Sequence, residues 1–167
     1  HAAQIGSYIL ESILKKPIKV EYASEFRYRN KSVNDRSLVI AISQSGETAD
    51  TLAAIKKAKD KNALSLGIVN VVGSSIARET DCGIYMHAGP EIGVASTKAF
   101  TSQVVILNML ALYLAEKKEI KSPLIKETIA DLQILNQSVE EILKLNDKIL
   151  NISKKYYQAD NFLYLGR

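Results

Sequence analysis

The chain has 167 residues, of which 47% are hydrophobic, which suits one ordinary domain with a single core and is too short for two comfortable ones. Its 22 basic and 18 acidic residues give a net charge of +4, and the excess is scattered along the sequence. This balance suits anionic small molecules and excludes the dense basic stripe of a nucleic-acid-binding protein.

The rare residue types exclude further kinds of site. Cys82 is the only cysteine, so the chain cannot form an intramolecular disulfide, and this is consistent with a reducing compartment. We expect Cys82 to pack in the core. Only His1 and His87 carry imidazoles, with no pair at ligand spacing, so no metal site is expected and His87 is expected at a strand end. No apolar run reaches the ~18 residues of a membrane span, and no signal pattern opens the chain, so a cytoplasmic protein without a membrane partner is predicted.

The first quarter of the chain mixes helical and extended patterns. Residues 2–15 carry apolar side chains at helical spacing, and Pro17 ends this run. A short strand is predicted over residues 18–22 and a polar helical turn over residues 23–29. Residues 38–42 (LVIAI) are uninterrupted apolar residues, which is typical of a strand buried on both faces.

The same alternation continues to residue 117. The patterns predict a helix over residues 51–60, a strand over 64–71, a short helix over 74–79, a strand over 82–87 and a long helix over 97–117. The long helix is apolar on nearly every side, so we expect it to be buried on several sides, and a subunit or domain partner could cover part of it.

The last part of the chain is helical and amphipathic from residue 122 to about 155, which predicts one long outer helix, straight or bent. Residues 161–167 (NFLYLGR) predict a strand. Strands that alternate with helices through short loops form parallel sheets with helices on both faces. The predicted fold class is therefore α/β, a three-layer α-β-α sandwich with a parallel sheet.

A polar stretch, the first loop (residues 43–48, SQSGET), lies between an apolar strand and a helix. Parallel sheets place ligands at the carboxyl ends of their strands, and a helix start offers unpaired N–H groups that attract phosphate. The side chains that could donate to a phosphate monoester are those of Ser43, Gln44, Ser45 and Thr48, and Gly46 permits a close turn. Plain helix capping explains any one hydroxyl, but the whole cluster favours a phosphate site.

Neither of the common nucleotide motifs is present. The chain lacks G-x-x-x-x-G-K-[ST], and no G-x-G-x-x-G follows a predicted strand, so a lone phosphate on a small substrate fits best and no organic cofactor is implied. A second loop (residues 89–97) also follows a strand, and it ends in Ser96 and Thr97 at a helix start. This loop would either hold the other end of a substrate or serve as a plain N-cap, and spacing does not decide between them.

Four segments resemble the sugar isomerase (SIS) domain of the glutamine–fructose-6-phosphate aminotransferase family. They are EYASEFRYR at residues 21–29, SQSGETADTL at 43–52, NVVGSS at 70–75 and EIGVASTKAFTSQ at 91–103. The resemblance implies a flavodoxin-like or Rossmann-like fold that lacks the family's usual first strand. It also implies a first SIS subdomain over residues 1–160 and the start of a second one over residues 161–167.

The resemblance carries implications for function as well. In the family, the matching loop binds the phosphate of fructose 6-phosphate or glucosamine 6-phosphate. The implied substrate-binding residues are Ser43, Gln44, Ser45, Thr48, Val94 (through its backbone) and Ser96. The family makes glucosamine 6-phosphate from fructose 6-phosphate and glutamine, which implies a cytoplasmic homodimer that binds sugar phosphate and neither nucleic acid nor membrane.

The resemblance implies no catalytic residue in this chain, because the family's glutamine-hydrolysing cysteine and its ring-opening groups belong to other domains. Glu47 and Glu91 are the only acids in the two loops, and we expect both to act as loop and cap groups, since acids favour helix starts. Two alternatives stay open. One is a non-catalytic phosphosugar sensor in a regulatory protein; the other is a free-standing isomerase, in which only Glu47, His87 or Glu91 could act as the base.

Overall fold

The computed structural model describes residues 1–29, 33–93 and 96–163, and the chain divides into two compact units, His1–Ser122 and Pro123–Arg167. The elements of the first unit are α1 (Ala2–Leu14), α2 (Ala23–Tyr28), β1 (Leu38–Ser43), α3 (Ala49–Lys59), β2 (Leu64–Val69), α4 (Ser75–Glu79), β3 (Cys82–Tyr85) and α5 (Lys98–Lys117). The elements of the second unit are α6 (Pro123–Leu143) and α7 (Asn146–Tyr156).

The strands of the first unit form a three-stranded parallel sheet in the order β1-β2-β3. Leu38 lies opposite Leu64, and Leu66 lies opposite Cys82. Because all strands run the same way, their carboxyl ends meet at one edge of the sheet, and the loops that follow them converge there.

The central strand β2 is buried on both faces of the sheet. On one face, Ala41 and Val69 pack with Ile55 of α3 and Ile76 of α4. Ile68 points to the opposite face, because side chains alternate along a strand, and it is also fully buried. The predicted α/β sandwich is therefore confirmed.

Helices α1 and α5 pack closely against each other. A Cβ on Gly6 of α1 would lie 2.5 Å from Leu107 Cδ1 of α5, so glycine allows this approach. Ile13 of α1 and Leu107 are both buried. Among the described helices, α5 is the one long and apolar enough to cross a membrane by length and composition, so the expectation that no apolar run reaches this length is wrong. Core helices of soluble proteins also pass this test.

Two lysines of α3 fasten the neighbouring short helices. Lys57 Nζ donates to the carbonyl oxygens of Arg27 (2.9 Å) and Arg29 (2.7 Å) at the end of α2. Lys59 Nζ donates to the Glu79 carbonyl (2.6 Å) at the end of α4. Carbonyls at a helix end lack partners within the helix, so these ammonium groups satisfy them and fix α2 and α4 beside α3.

The predicted strand over residues 18–22 is wrong. These residues lie outside every helix and strand, and the Ile18 N–H donates to Glu11 Oε1 (2.8 Å) instead of to a neighbouring strand. An extended apolar segment becomes a strand only when another strand pairs with it. In the described part of the chain, β1 pairs with β2 alone.

Three other predictions need adjustment. Cys82 is exposed, not packed in the core, because it begins β3, which lies at the edge of the described sheet. Residues 122–155 are mostly helical as predicted, but as two helices that break at residues 144–145. The predicted strand over residues 161–167 is wrong for 161–163, which are irregular, and its remainder lies outside the described residues.

Candidate functional site

The first loop joins the carboxyl end of β1 to the start of α3, at the edge where the sequence predicts a ligand. Ser43 is buried, and its Oγ accepts the Gly46 N–H (3.1 Å) and lies 3.4 Å from Thr48 Oγ1. Ser45 and Thr48 are exposed, and Gln44 is half-buried. Ser43 therefore braces the loop from inside, whereas the other three side chains remain accessible to a ligand.

The start of α3 carries free backbone donors. Thr48 is the N-cap residue and makes no side-chain capping bond. Leu52 is the first residue of the helix whose N–H finds a backbone acceptor, the Thr48 carbonyl (3.0 Å). Among the described residues, none accepts the N–H groups of Ala49, Asp50 or Thr51. These three donors and the positive end of the helix dipole are therefore available to an anion.

Gly46 is required by the way the first loop packs. Its φ of +70° lies in the left-handed region that favours glycine. A Cβ at this position would lie 2.0 Å from Ser74 Oγ, which is buried beneath the loop and has no hydrogen-bond partner among the described residues. The Gly46 carbonyl accepts the Ile76 N–H (2.9 Å). The backbone of the first loop is thus held against the start of α4.

Glu47 also joins the first loop to α4. Its Oε1 accepts the Ser75 N–H (2.8 Å), and Arg78 Nη2 donates to Ser75 Oγ (3.1 Å) close by. Hydrogen bonds from Ser75, with a smaller contribution from the positive charge of Arg78, lower the pKa of the Glu47 carboxyl. The expectation that Glu47 acts as a cap is confirmed, and the helix that it caps is α4. Its negative charge is thereby engaged away from the α3 donors.

Glu91 occupies the start of α5 with its carboxylate. Oε1 accepts the N–H groups of Thr97 (2.6 Å) and Lys98 (3.0 Å) and the Thr97 hydroxyl (3.2 Å). Oε2 accepts the Ala99 N–H (3.2 Å) and the Ser96 hydroxyl (2.9 Å). These donors, with the Thr97 N–H the strongest, lower the pKa of Glu91 to about 2. The expectation that Glu91 acts as a cap is confirmed.

The filled start of α5 shows that the second loop provides an N-cap, which is one of the two roles that spacing left open. Glu91 already accepts the N–H groups of Thr97, Lys98 and Ala99, so these three amides are not available to a phosphate. Ser96 donates its hydroxyl to Glu91 Oε2, and whether it also contacts a sugar stays a prediction. Val94, the other predicted contact in this loop, lies outside the described residues.

A cleft of about 500 Å³ opens between the two loops at the carboxyl edge of the sheet. Its lining residues are Gln44, Asn70, Val71, His87, Gly89, Pro90 and Glu91. Of the predicted substrate-binding residues, Gln44 belongs to this lining, and Ser43, Ser45 and Thr48 do not. Gln44 therefore connects the hydroxyl-bearing loop with the cleft. The described residues contain no group of three or more His, Cys, Asp and Glu side chains able to hold a metal.

Sequence reasoning missed Asn70 as a site residue, and it considered His87 only as a strand-end residue or as a possible base in a free-standing isomerase. Asn70 directly follows β2, and His87 lies two residues after β3, where it has a φ of +51°. The sequence could have indicated them by their location just after a predicted strand, since polar residues that follow consecutive parallel strands converge at one edge of the sheet. That signal is weaker than a run of hydroxyls, because each residue stands alone in its segment.

A parallel sheet with a hydroxyl-bearing loop and a cleft at its carboxyl edge defines an α/β domain built to bind a small molecule. The SIS domain family model matches residues 1–113 of the chain. The chain therefore belongs to the SIS domain family, and the resemblance found in the sequence motifs is confirmed.

The chain is similar over its full length to glutamine–fructose-6-phosphate aminotransferases [isomerizing]. It is 54% identical to those of Chlorobaculum tepidum and Bacteroides thetaiotaomicron, and it spans 27% of the length of each. Among solved structures, it matches the C-terminal domain of glucosamine-fructose-6-phosphate aminotransferase from Francisella tularensis with a TM-score of 0.91 and 42% identity. That match covers 99% of this chain and 48% of the other. The chain thus spans about a quarter of the length of these curated relatives.

Proposed function

We propose that this chain is a phosphosugar-binding SIS subdomain of a glutamine–fructose-6-phosphate aminotransferase. The parent enzyme would convert fructose 6-phosphate and glutamine to glucosamine 6-phosphate and glutamate, the amino sugar then serving UDP-N-acetylglucosamine synthesis. The full-length similarity to proteins of that name supports this proposal, as does the hydroxyl-bearing first loop.

The observation that carries the proposal is the free start of α3. The unpartnered N–H groups of residues 49–51 directly follow the first loop, in which Ser45 and Thr48 are exposed, and in this proposal they bind the phosphate together with those two hydroxyls. Gln44 links this loop to the cleft, where the sugar would lie. A phosphate held in this way fixes the reacting carbons of the sugar in register with catalytic groups from elsewhere. We assign no catalytic residue and no cofactor to this chain.

The remaining features of the proposal concern organisation. We place the first SIS subdomain at residues 1–160 and the start of a second at residues 161–167. The parent enzyme would be a cytoplasmic homodimer whose ligand is fructose 6-phosphate or glucosamine 6-phosphate, with no nucleic-acid or membrane partner. Val94 and Ser96 would contact the sugar from the second loop.

The test of this proposal is the affinity for glucosamine 6-phosphate, measured by calorimetry. The double variant Ser45→Ala with Thr48→Ala should bind several-fold to tens of fold more weakly, since losing hydrogen bonds to a charged group costs roughly 1 to 3 kcal/mol. Glucosamine without phosphate should bind far more weakly than the phosphate ester to the unmodified chain.

The matched control changes the same two residue types outside the site. Thr128 and Ser138 on α6 donate their hydroxyls to carbonyls of their own helix, at 2.8 Å and 3.3 Å. Thr128→Ala with Ser138→Ala should leave the affinity unchanged. Unchanged affinity in the Ser45/Thr48 variant, or equal binding of glucosamine and glucosamine 6-phosphate, would contradict a phosphate site in the first loop.

A further inference from the structure

Asn70 contacts both loops that border the cleft. Its backbone N–H donates to the Gln44 carbonyl (3.1 Å) in the first loop. Its side chain binds the beginning of the second loop twice: Nδ2 donates to the Gly89 carbonyl (2.8 Å), and Oδ1 accepts the Ala88 N–H (2.9 Å). One residue at the end of the central strand therefore connects the chain segments that follow all three strands.

The chemistry of the amide suits this role. A primary amide carries a donor and an acceptor at once, so it can bind a carbonyl and an N–H on the same backbone segment. The residue before that segment, His87, has a φ of +51°, a conformation that persists in non-glycine residues only where the surroundings impose it. Asn70 is part of those surroundings, since its Oδ1 accepts the N–H of Ala88, the residue that directly follows His87. Asn70, His87 and Gly89 all line the cleft, so their relative placement sets its width.

We propose that Asn70 is a positioning residue that sets the distance between the two loops and thereby favours sugar phosphates over free phosphate. This inference rests on the proposed function, in which the phosphate lies on the first loop and the sugar lies in the cleft. Free phosphate needs only the first loop, whose backbone is held mainly by α4 through Gly46 and Glu47. A sugar phosphate needs the cleft as well, so only its binding depends on where Asn70 holds the second loop.

The experiment compares two ligands on the purified chain and its Asn70→Ala variant. Glucosamine 6-phosphate affinity should fall about tenfold, the loss expected when two neutral hydrogen bonds that order a loop are removed. Inorganic phosphate affinity, followed by NMR titration of the first-loop amides, should change less than about twofold. Asn34→Ala is the matched control, because the Asn34 amide also accepts a backbone N–H, that of Arg36 (3.0 Å), but precedes β1 at the opposite edge of the sheet.

Asn70→Asp provides a second variant of the same shape. It keeps the acceptor for the Ala88 N–H and replaces the donor to the Gly89 carbonyl with a charged oxygen. For this variant the sugar phosphate is fructose 6-phosphate, because the new carboxylate would attract the ammonium group of glucosamine 6-phosphate. Fructose 6-phosphate and inorganic phosphate both lack a cationic group, so the new charge weakens the binding of both alike, and the ratio of their affinities still reports on the second loop. The ratio of sugar phosphate to phosphate affinity should fall in both Asn70 variants and stay constant in the Asn34 variant.

The outcomes separate this inference from the proposed function. An equal loss for both ligands, or no loss for either, would overturn the role of Asn70 and leave the phosphate site intact. Binding of neither ligand by the unmodified chain would refute the proposed function instead. In that case hydrogen exchange still tests the positioning role: the Ala88 amide should exchange faster in Asn70→Ala than in the unmodified chain, and an unchanged rate would overturn the inference.

Discussion

Helices α3 and α5 both begin after a strand at the carboxyl edge of the sheet, and they differ in whether a carboxylate of the chain already binds their first amides. The first amides of α3 have no acceptor among the described residues, and the exposed residues Ser45 and Thr48 precede them in the first loop. The first amides of α5 are bound by the carboxylate of Glu91, which lies within the second loop. One helix start is open to a ligand, and the other is filled by the protein itself.

This difference shows how a fold with several similar helix starts can bind an anion at one of them. Every helix start attracts negative charge, through its dipole and its free N–H groups. A carboxylate of the chain that already binds those groups removes the attraction, and Glu91 does this at α5. Glu47 would compete for the α3 donors in the same way, but its Oε1 instead binds the Ser75 N–H of α4. The specificity of the site therefore depends as much on where the acids are held as on where the hydroxyls lie.

The largest expected effect comes from disturbing the open site with Gly46→Ala. The left-handed conformation costs a non-glycine residue roughly 1 to 2 kcal/mol. The new Cβ would also lie 2.0 Å from Ser74 Oγ, and such overpacking costs roughly 1 to 3 kcal/mol. We expect the free energy of unfolding, measured with urea, to fall by roughly 2 to 5 kcal/mol and glucosamine 6-phosphate binding to be lost.

Gly73→Ala is a closely matched control for this change. Gly73 has a φ of +72°, almost that of Gly46, but a Cβ there would meet nothing within 4 Å. It should therefore lose only the roughly 1 to 2 kcal/mol of backbone strain and retain binding. Equal losses in the two variants would mean that the contact between the first loop and Ser74 does not shape the site.

A smaller effect is expected from opening the filled helix start with Glu91→Ala. The amides of Thr97, Lys98 and Ala99 would lose their acceptor, so the melting temperature should fall. The exposed donors should then bind inorganic phosphate weakly, as a second site besides the first loop. NMR titration with phosphate should shift these three amides in the variant and leave them unchanged in the unmodified chain.

Glu47→Ala serves as the control for that experiment, because it also removes a capping carboxylate but frees a single α4 amide. It should give no second phosphate site. If the α5 amides of Glu91→Ala do not respond to phosphate, the contrast between an open and a filled helix start does not explain why the first loop is the anion site.

Much of the fold could be predicted from local patterns. Residues 38–42 are uninterrupted apolar residues, a pattern typical of parallel strands, and this pattern correctly located β1. The expected burial on both faces is only partial, because β1 lies at the edge of the described sheet and Leu38 is exposed. Residues 18–22 (IKVEY) are equally long and alternate apolar and polar side chains, but they form no strand, because pairing depends on a neighbouring strand and not on the segment itself. Cys82 was misjudged for a related reason: its exposure follows from the edge position of β3, which strand order alone reveals.

The candidate site was predictable where a single segment contains its chemistry. Hydroxyls concentrated between an apolar strand and a helix marked the first loop without knowledge of the fold. The brace by Ser43 and the bridge by Asn70 could not be predicted in the same way, since each depends on which partner a polar side chain meets in three dimensions. Only the position of Asn70 at a strand end hinted at its role.

The smallest expected effect is a dependence of stability on pH that comes from Glu91. The pKa of this carboxyl is about 2 in the folded chain, against 4.5 for an unperturbed glutamate. Between these pH values the unfolded chain binds the proton more readily than the folded one, so the stabilising contribution is complete above pH 4.5 and is lost as the pH falls toward 2. Urea unfolding at a series of pH values should show the advantage over Glu91→Gln shrinking across this range.

Glu91→Gln is the informative comparison, because glutamine keeps one acceptor oxygen for the α5 amides but has no carboxyl group that can bind or release a proton. Other acids whose pKa is lowered, Glu47 and Asp81, are present in both chains and cancel in the difference. A difference between the two chains that stays constant down to pH 2 would show that the charge of Glu91 does not stabilise the start of α5. The carboxylate would then fill that helix start by hydrogen-bond geometry alone, and a neutral acceptor would exclude phosphate from it equally well.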